Sequence, residues 1–207
     1  MTGVQTCALP ILAWIFADAL DDPDSARAHA RLALMADPGW HVPYYIFAFL
    51  RFLSGDCPGT VAALDTVRQL SPTYSITPEV LGRCRLLDGD TSGVRELARQ
   101  AGDLGNPMGY QTVIGLLAAR SGQWGVVRQL AGELAGNQVP DGDARAAILT
   151  LAAGDTSGAL TLLERRPQII SSLEWPELAP LRSRPRFRLV LGAAHRRQPI
   201  YASPGPP

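Results

Sequence analysis

Asp88-Gly89-Asp90-Thr91-Ser92-Gly93 is the stretch that most resembles a metal site, with side-chain oxygens at alternate positions and glycine sixth, as in a calcium loop. Its twelfth position is Arg99, where calcium needs a bidentate glutamate, so calcium is not expected. Cys57 and Cys84 have no C-x-x-C partner or companion histidine, which indicates neither metal nor disulfide. Cys84 lies among apolar residues and reads as a small core filler. His29, His41 and His195 are scattered, with no cysteine or carboxylate at ligand spacing. No G-x-S-x-G, phosphate-binding loop or dinucleotide fingerprint occurs. No catalytic residue, metal or cofactor is therefore expected, and the chain reads as non-enzymatic.

Charge offers a second kind of chemistry. The 19 basic residues are all arginine and balance 19 acidic ones. They are unevenly placed: after residue 164 eight arginines face two glutamates, while residues 1–164 carry eleven arginines against seventeen acids. An arginine-rich end could hold anions of nucleic acid or lipid, but Phe187 is the lone aromatic among these arginines. The expected role is a solvated face, docked in part on the acidic remainder, with neither nucleic acid nor membrane as partner.

These residues must be carried by some scaffold. Of the 207 residues 46% are apolar, enough for a core in one or two domains. The longest apolar run, Ala8 to Ala17, is about half the length a bilayer-spanning helix requires. A short turn pattern then recurs: Gly55, Gly89, Gly122 and Gly154 are 34, 33 and 32 residues apart, and Asp21-Asp22 stands one period upstream. Pro38, Pro72 and Pro107 keep the same step, at 34 and 35. Between these marks run helical spacings, such as Tyr45, Phe49, Phe52 and Leu53 before one turn and Val61, Leu64, Val67 and Leu70 after it. Each unit is thus helix, turn, helix, break. The turn glycine supplies a positive φ at the helix end, the following Asp caps the next helix, and the proline stops the unit.

The opening Met1-Thr2-Gly3-Val4-Gln5-Thr6-Cys7-Ala8-Leu9-Pro10-Ile11 matches, codon for codon, the translation of a common sequencing adapter. Residues 1–11 are expected to be such an artefact, with the authentic chain entering near Leu12.

A helix pair repeated at about 34 residues resembles the tetratricopeptide repeat family. The resemblance covers residues 12–166 and places the turn glycines at place 15 of a 34-place frame. Ala26, Ala33, Ala101 and Ala159 fall at the small places 20 and 27, and Gly82, Gly115 and Ala147 at place 8, where a small residue lets the paired helices approach. Arg51, Arg85 and Ala118 replace the family's aromatic at place 11, and Val94 and Val127 stand at place 20. Residues 167–197, from Trp175-Pro176-Glu177 through Arg184-Pro185-Arg186-Phe187, resemble a terminal cap, which a stack needs to cover its last apolar face. Residues 198–207 are expected to be a disordered tail.

The resemblance implies an all-α, right-handed solenoid of about five helix-turn-helix repeats with a capping helix. It implies further that places 2, 5, 9, 12 and 13 of the first helices line a concave groove. Those places nominate Val42, Tyr45, Phe49, Phe52, Glu79 and Arg83 as partner-binding residues, suited to an apolar or amphipathic peptide. The same aromatics would equally serve as packing against neighbouring helices. The expected function is a non-catalytic protein-interaction scaffold in the cytoplasm, from the C-terminal part of a bacterial multidomain signalling or transcriptional regulator. Such a regulator would carry a winged-helix, nucleotide cyclase or kinase domain upstream. The alternatives are a free-standing adaptor, or the repeat arm of an enzyme such as a glycosyltransferase or peptidase.

Overall fold

The computed structural model describes residues 3–197 apart from Ala19, Gln138, Pro140 and Pro167, and every regular element among them is helical. Ten helices follow in pairs: α1 (Gly3–Asp18) with α2 (Pro23–Ala36), α3 (His41–Leu53) with α4 (Cys57–Leu70), and α5 (Ile76–Leu87) with α6 (Val94–Asp103). Then come α7 (Pro107–Arg120) with α8 (Trp124–Gly136), and α9 (Gly142–Ala152) with α10 (Thr156–Arg165). A short α11 (Ile170–Leu173), a 3-10 helix (Pro176–Leu181) and α12 (Pro185–Arg197) complete the order. Helix α1 crosses Leu12 without a break. The expected tail, residues 198–207, lies outside the described residues.

Turn chemistry accounts for the pairing. Gly55, Gly89, Gly122 and Gly154 all take positive φ, from 69° to 87°, at the turns inside the pairs. Asp21 occupies the equivalent position in the first pair at φ 49°, a conformation aspartate tolerates better than most residues. The next residue caps the following helix in three pairs, where Asp22, Asp56 and Asp155 accept from the N–H of Ser25, Gly59 and Gly158. In the third pair Asp90 instead accepts from the Ser92 N–H at 2.8 Å, and the helix starts later, behind Gly93 at φ 65°. Arg51 and Arg85 cross these turns to donate to the carbonyls of Gly59 and Ser92, a role that explains arginine at place 11.

One proline departs from expectation. Pro38 and Pro72 follow the ends of α2 and α4, but Pro107 opens α7, where its missing N–H costs nothing and its fixed φ suits the first turn. Helix α6 ends instead at Leu104 and Gly105, the latter at φ 86°. By its type Pro167 would cut short the second helix of the last pair, but it lies outside the described residues.

Consecutive helices pack on each other, and the first helices also stack across pairs, α1 on α3, α5 on α7 and α7 on α9. Gly82 and Gly115 serve this second contact most closely, while Gly82 also faces its pair partner, its Cβ position lying 3.7 Å from Leu97 Cβ of α6. A Cβ on Gly82 would meet Val113 Cγ1 of α7 at 2.9 Å, and one on Gly115 would meet Leu149 Cδ1 of α9 at 2.5 Å. Gly115→Ala is therefore expected to lose about 1–3 kcal/mol through overpacking. Gly132→Ala, with nothing within 4 Å of the new methyl on α8, is expected to gain about 0.5–1 kcal/mol from helix propensity. Urea denaturation of both variants checks the contrast.

Candidate functional site

Glu79 and Arg83 lie one helical turn apart on α5, so their side chains share a face. Both are buried, at 1% and 2% exposure. Burying charge is costly unless each group is paired and hydrogen-bonded, and this one is. Arg83 donates to both carboxylate oxygens of Glu177 at 2.8 and 2.9 Å and to Glu79 at 3.3 Å. Its guanidinium lies between two rings, 4.7 Å from Phe52 and 4.3 Å from Trp175, a stacking that a planar cation permits.

Arg145 enters from α9. It donates to Glu79 at 2.6 Å, to the Asp141 carboxylate at 2.7 Å and to the Thr112 hydroxyl at 3.1 Å. The amide of Asn106, whose own oxygen caps α7, donates to Glu79 at 2.8 Å. Glu79 is thereby the shared acceptor of α5, α7 and α9. Burial alone would push its carboxyl up, but the charges of Arg145 and Arg83, with hydrogen bonds from Arg145 and Asn106, hold it down at about 2. A carboxylate depressed on folding stabilises above its unfolded pKa and loses that stabilisation as pH falls through the folded value. The protein should accordingly lose stability on acidification from about 4.5 towards about 2, followed by circular dichroism; Glu79→Gln should flatten that acid limb.

Aromatic packing closes the other side. Trp14 of α1 lies 5.6 Å from Tyr45 and 5.1 Å from Phe49, and Tyr45 meets Tyr74 edge-on at 5.0 Å. Burial pushes the Tyr45 phenol well above its ordinary range. Between these rings and the ion pairs is a pocket of about 350 Å³, bounded by α1, α3, α5, α9 and α11.

The structure brings Tyr45, Phe49, Phe52, Glu79 and Arg83 together on this pocket, while Val42 is half-buried on α3 and does not line it. Sequence reasoning missed Arg145, Asp141, Thr112, Trp175 and Glu177. A signal for two of them existed. Counting from Ala147 and Gly115 at place 8 puts Asp141 at place 2, Arg145 at place 6 and Thr112 at place 5, so carrying the groove places past the third unit reaches Asp141 and Thr112 directly. Trp175 and Glu177 come from the cap, and no repeat register points to them.

Among the described arginines after residue 164, Arg165, Arg166, Arg182 and Arg186 form ion pairs; Arg165 and Arg166 share Asp143, and Arg186 ties α12 to Glu164 of α10. Among the described residues no group of three or more His, Cys, Asp or Glu side chains is placed to hold a metal, and no helix is long and apolar enough to cross a membrane. No protein-family model matches the chain, and no curated protein matches it.

Proposed function

We propose that the chain is a non-catalytic interaction scaffold, a right-handed solenoid of tetratricopeptide-like helix pairs that holds another protein or another domain of its own polypeptide. The observation that carries this reading is the first turn of the 3-10 helix, Trp175-Pro176-Glu177, held on Arg83 of α5 by a ring beside the guanidinium and a forked ion pair. A forked Arg–carboxylate pair beside a ring gives a groove the means to hold a separate segment of chain in one orientation. The setting that fits is the C-terminal arm of a bacterial cytoplasmic regulator. A free-standing adaptor is the second reading, favoured by the exposed apolar Leu32 and Met35 on α2, which offer a packing surface to a separate protein.

A photo-crosslinking residue at Met35, 82% exposed, distinguishes the two in cells that express the protein with its natural flanking sequence. Crosslinks within one polypeptide would support the regulator arm, and crosslinks to one separate protein the adaptor. Crosslinks no more discrete than those from Gln69, an exposed polar position on α4, would reject both.

A further inference from the structure

The carboxylates around the pocket outnumber its cations. Arg83 and Arg145 face Glu79, Asp141 and Glu177, which leaves the ion-pair network with one negative charge in excess. Asp18 adds another. It lies on α1 one turn after Trp14, so that ring and carboxylate project onto the same pocket. The Ser171 hydroxyl of α11 donates to Asp18 Oδ1, and among the described residues no other side chain donates to Asp18. Burial and the nearby charge of Asp141 both push the Asp18 carboxyl up, against the pull of the Ser171 bond. Asp18 thus places a half-buried carboxylate on a pocket that Trp14, Tyr45 and Phe49 also line.

Two independent features therefore favour the same occupant. A surplus carboxylate in a partly buried pocket attracts a positive group, and aromatic faces attract one more strongly when water is excluded. The volume of about 350 Å³ lies at the small end of the usual range for small-molecule sites, about 300–1,000 Å³. That suits one ring with a short arm. We propose that this pocket binds a small aromatic amine as its ammonium cation, with Asp18 Oδ2 as counter-ion and Trp14, Tyr45 and Phe49 as the stacking wall.

Titration calorimetry of the full chain with tryptamine tests the assignment, with tryptophol as the uncharged analogue and 3-indolepropionate as the anionic one. Tryptamine should bind at one site, at least about tenfold more tightly than either analogue, a difference of about 1.4 kcal/mol. Asp18→Asn, which keeps an acceptor for Ser171, should weaken tryptamine by a similar factor, whereas Asp65→Asn on α4 should leave it unchanged. Should Asp18→Asn fail to fold by circular dichroism, the comparison of the three indoles on the unaltered chain decides alone. Equal binding of tryptophol, or no tryptamine binding at about millimolar concentration, would overturn the proposal. So would tighter binding of Nα-acetyl-lysine amide, which would mark the pocket as a reader of lysine side chains.

Discussion

Arg83→Met should destabilise the protein by about 3–5 kcal/mol, the usual cost of removing one partner from a buried ion pair. For a chain of this size that corresponds to a fall in Tm on the order of 10 °C. The loss is large because Glu177 keeps its charge and its place at the buried surface while both of its donors disappear. Glu79 suffers less, since Arg145 and Asn106 still hold it. The origin of the loss is testable by a second substitution. Arg83→Met with Glu177→Met should be more stable than Arg83→Met alone, because the stranded carboxylate is gone and two apolar chains pack in its place. If the double variant were as unstable as the single, the penalty would come from lost packing on Phe52 and Trp175 and not from charge. Arg83→Lys should fall between, as an ammonium neither forks onto a carboxylate nor stacks flat between rings.

Phe52→Ala should cost about 3–5 kcal/mol. The ring is 1% exposed and sits beneath the Arg83 guanidinium, so its removal opens a cavity and strips one face from a buried cation. Leu70→Ala is the matched control: Leu70 ends α4 with 40% of its surface exposed, and its loss should stay within about 0.5 kcal/mol. Guanidinium denaturation monitored at 222 nm measures both. A Phe52→Ala variant with near-normal stability would mean that the ring does not fill the space under Arg83.

The helical class and the pairing of helices were legible because they rest on local chemistry. Gly55, Gly89, Gly122 and Gly154 report their conformation through residue type alone, since positive φ is costly to any residue with a side chain. Pro107 shows where local chemistry runs out, because proline both follows and opens helices and only the position of Gly105 decides between the two. The pocket was half legible. Its aromatic residues and its α5 residues each fall on one face of a predicted helix, but their burial depends on Trp14 and Trp175, which approach from opposite ends of the sequence. No spacing rule relates residues so far apart. The ion-pair partners of Arg83 illustrate the same divide: Glu79 is four residues away and Glu177 is ninety-four.

The contact between the two ends has a thermodynamic consequence. Helix α1 touches α11, Asp18 accepts from Ser171 across 153 residues, and His195 of α12 lies 3.8 Å from Asp21. In a linear stack each unit senses only its neighbours, so the outermost units fray first and unfolding proceeds inward. Joining the first pair to the cap replaces two free ends with one more interface. Amide hydrogens of α2 and α10 should then exchange on the same timescale as those of α5 and α7, by a single global opening.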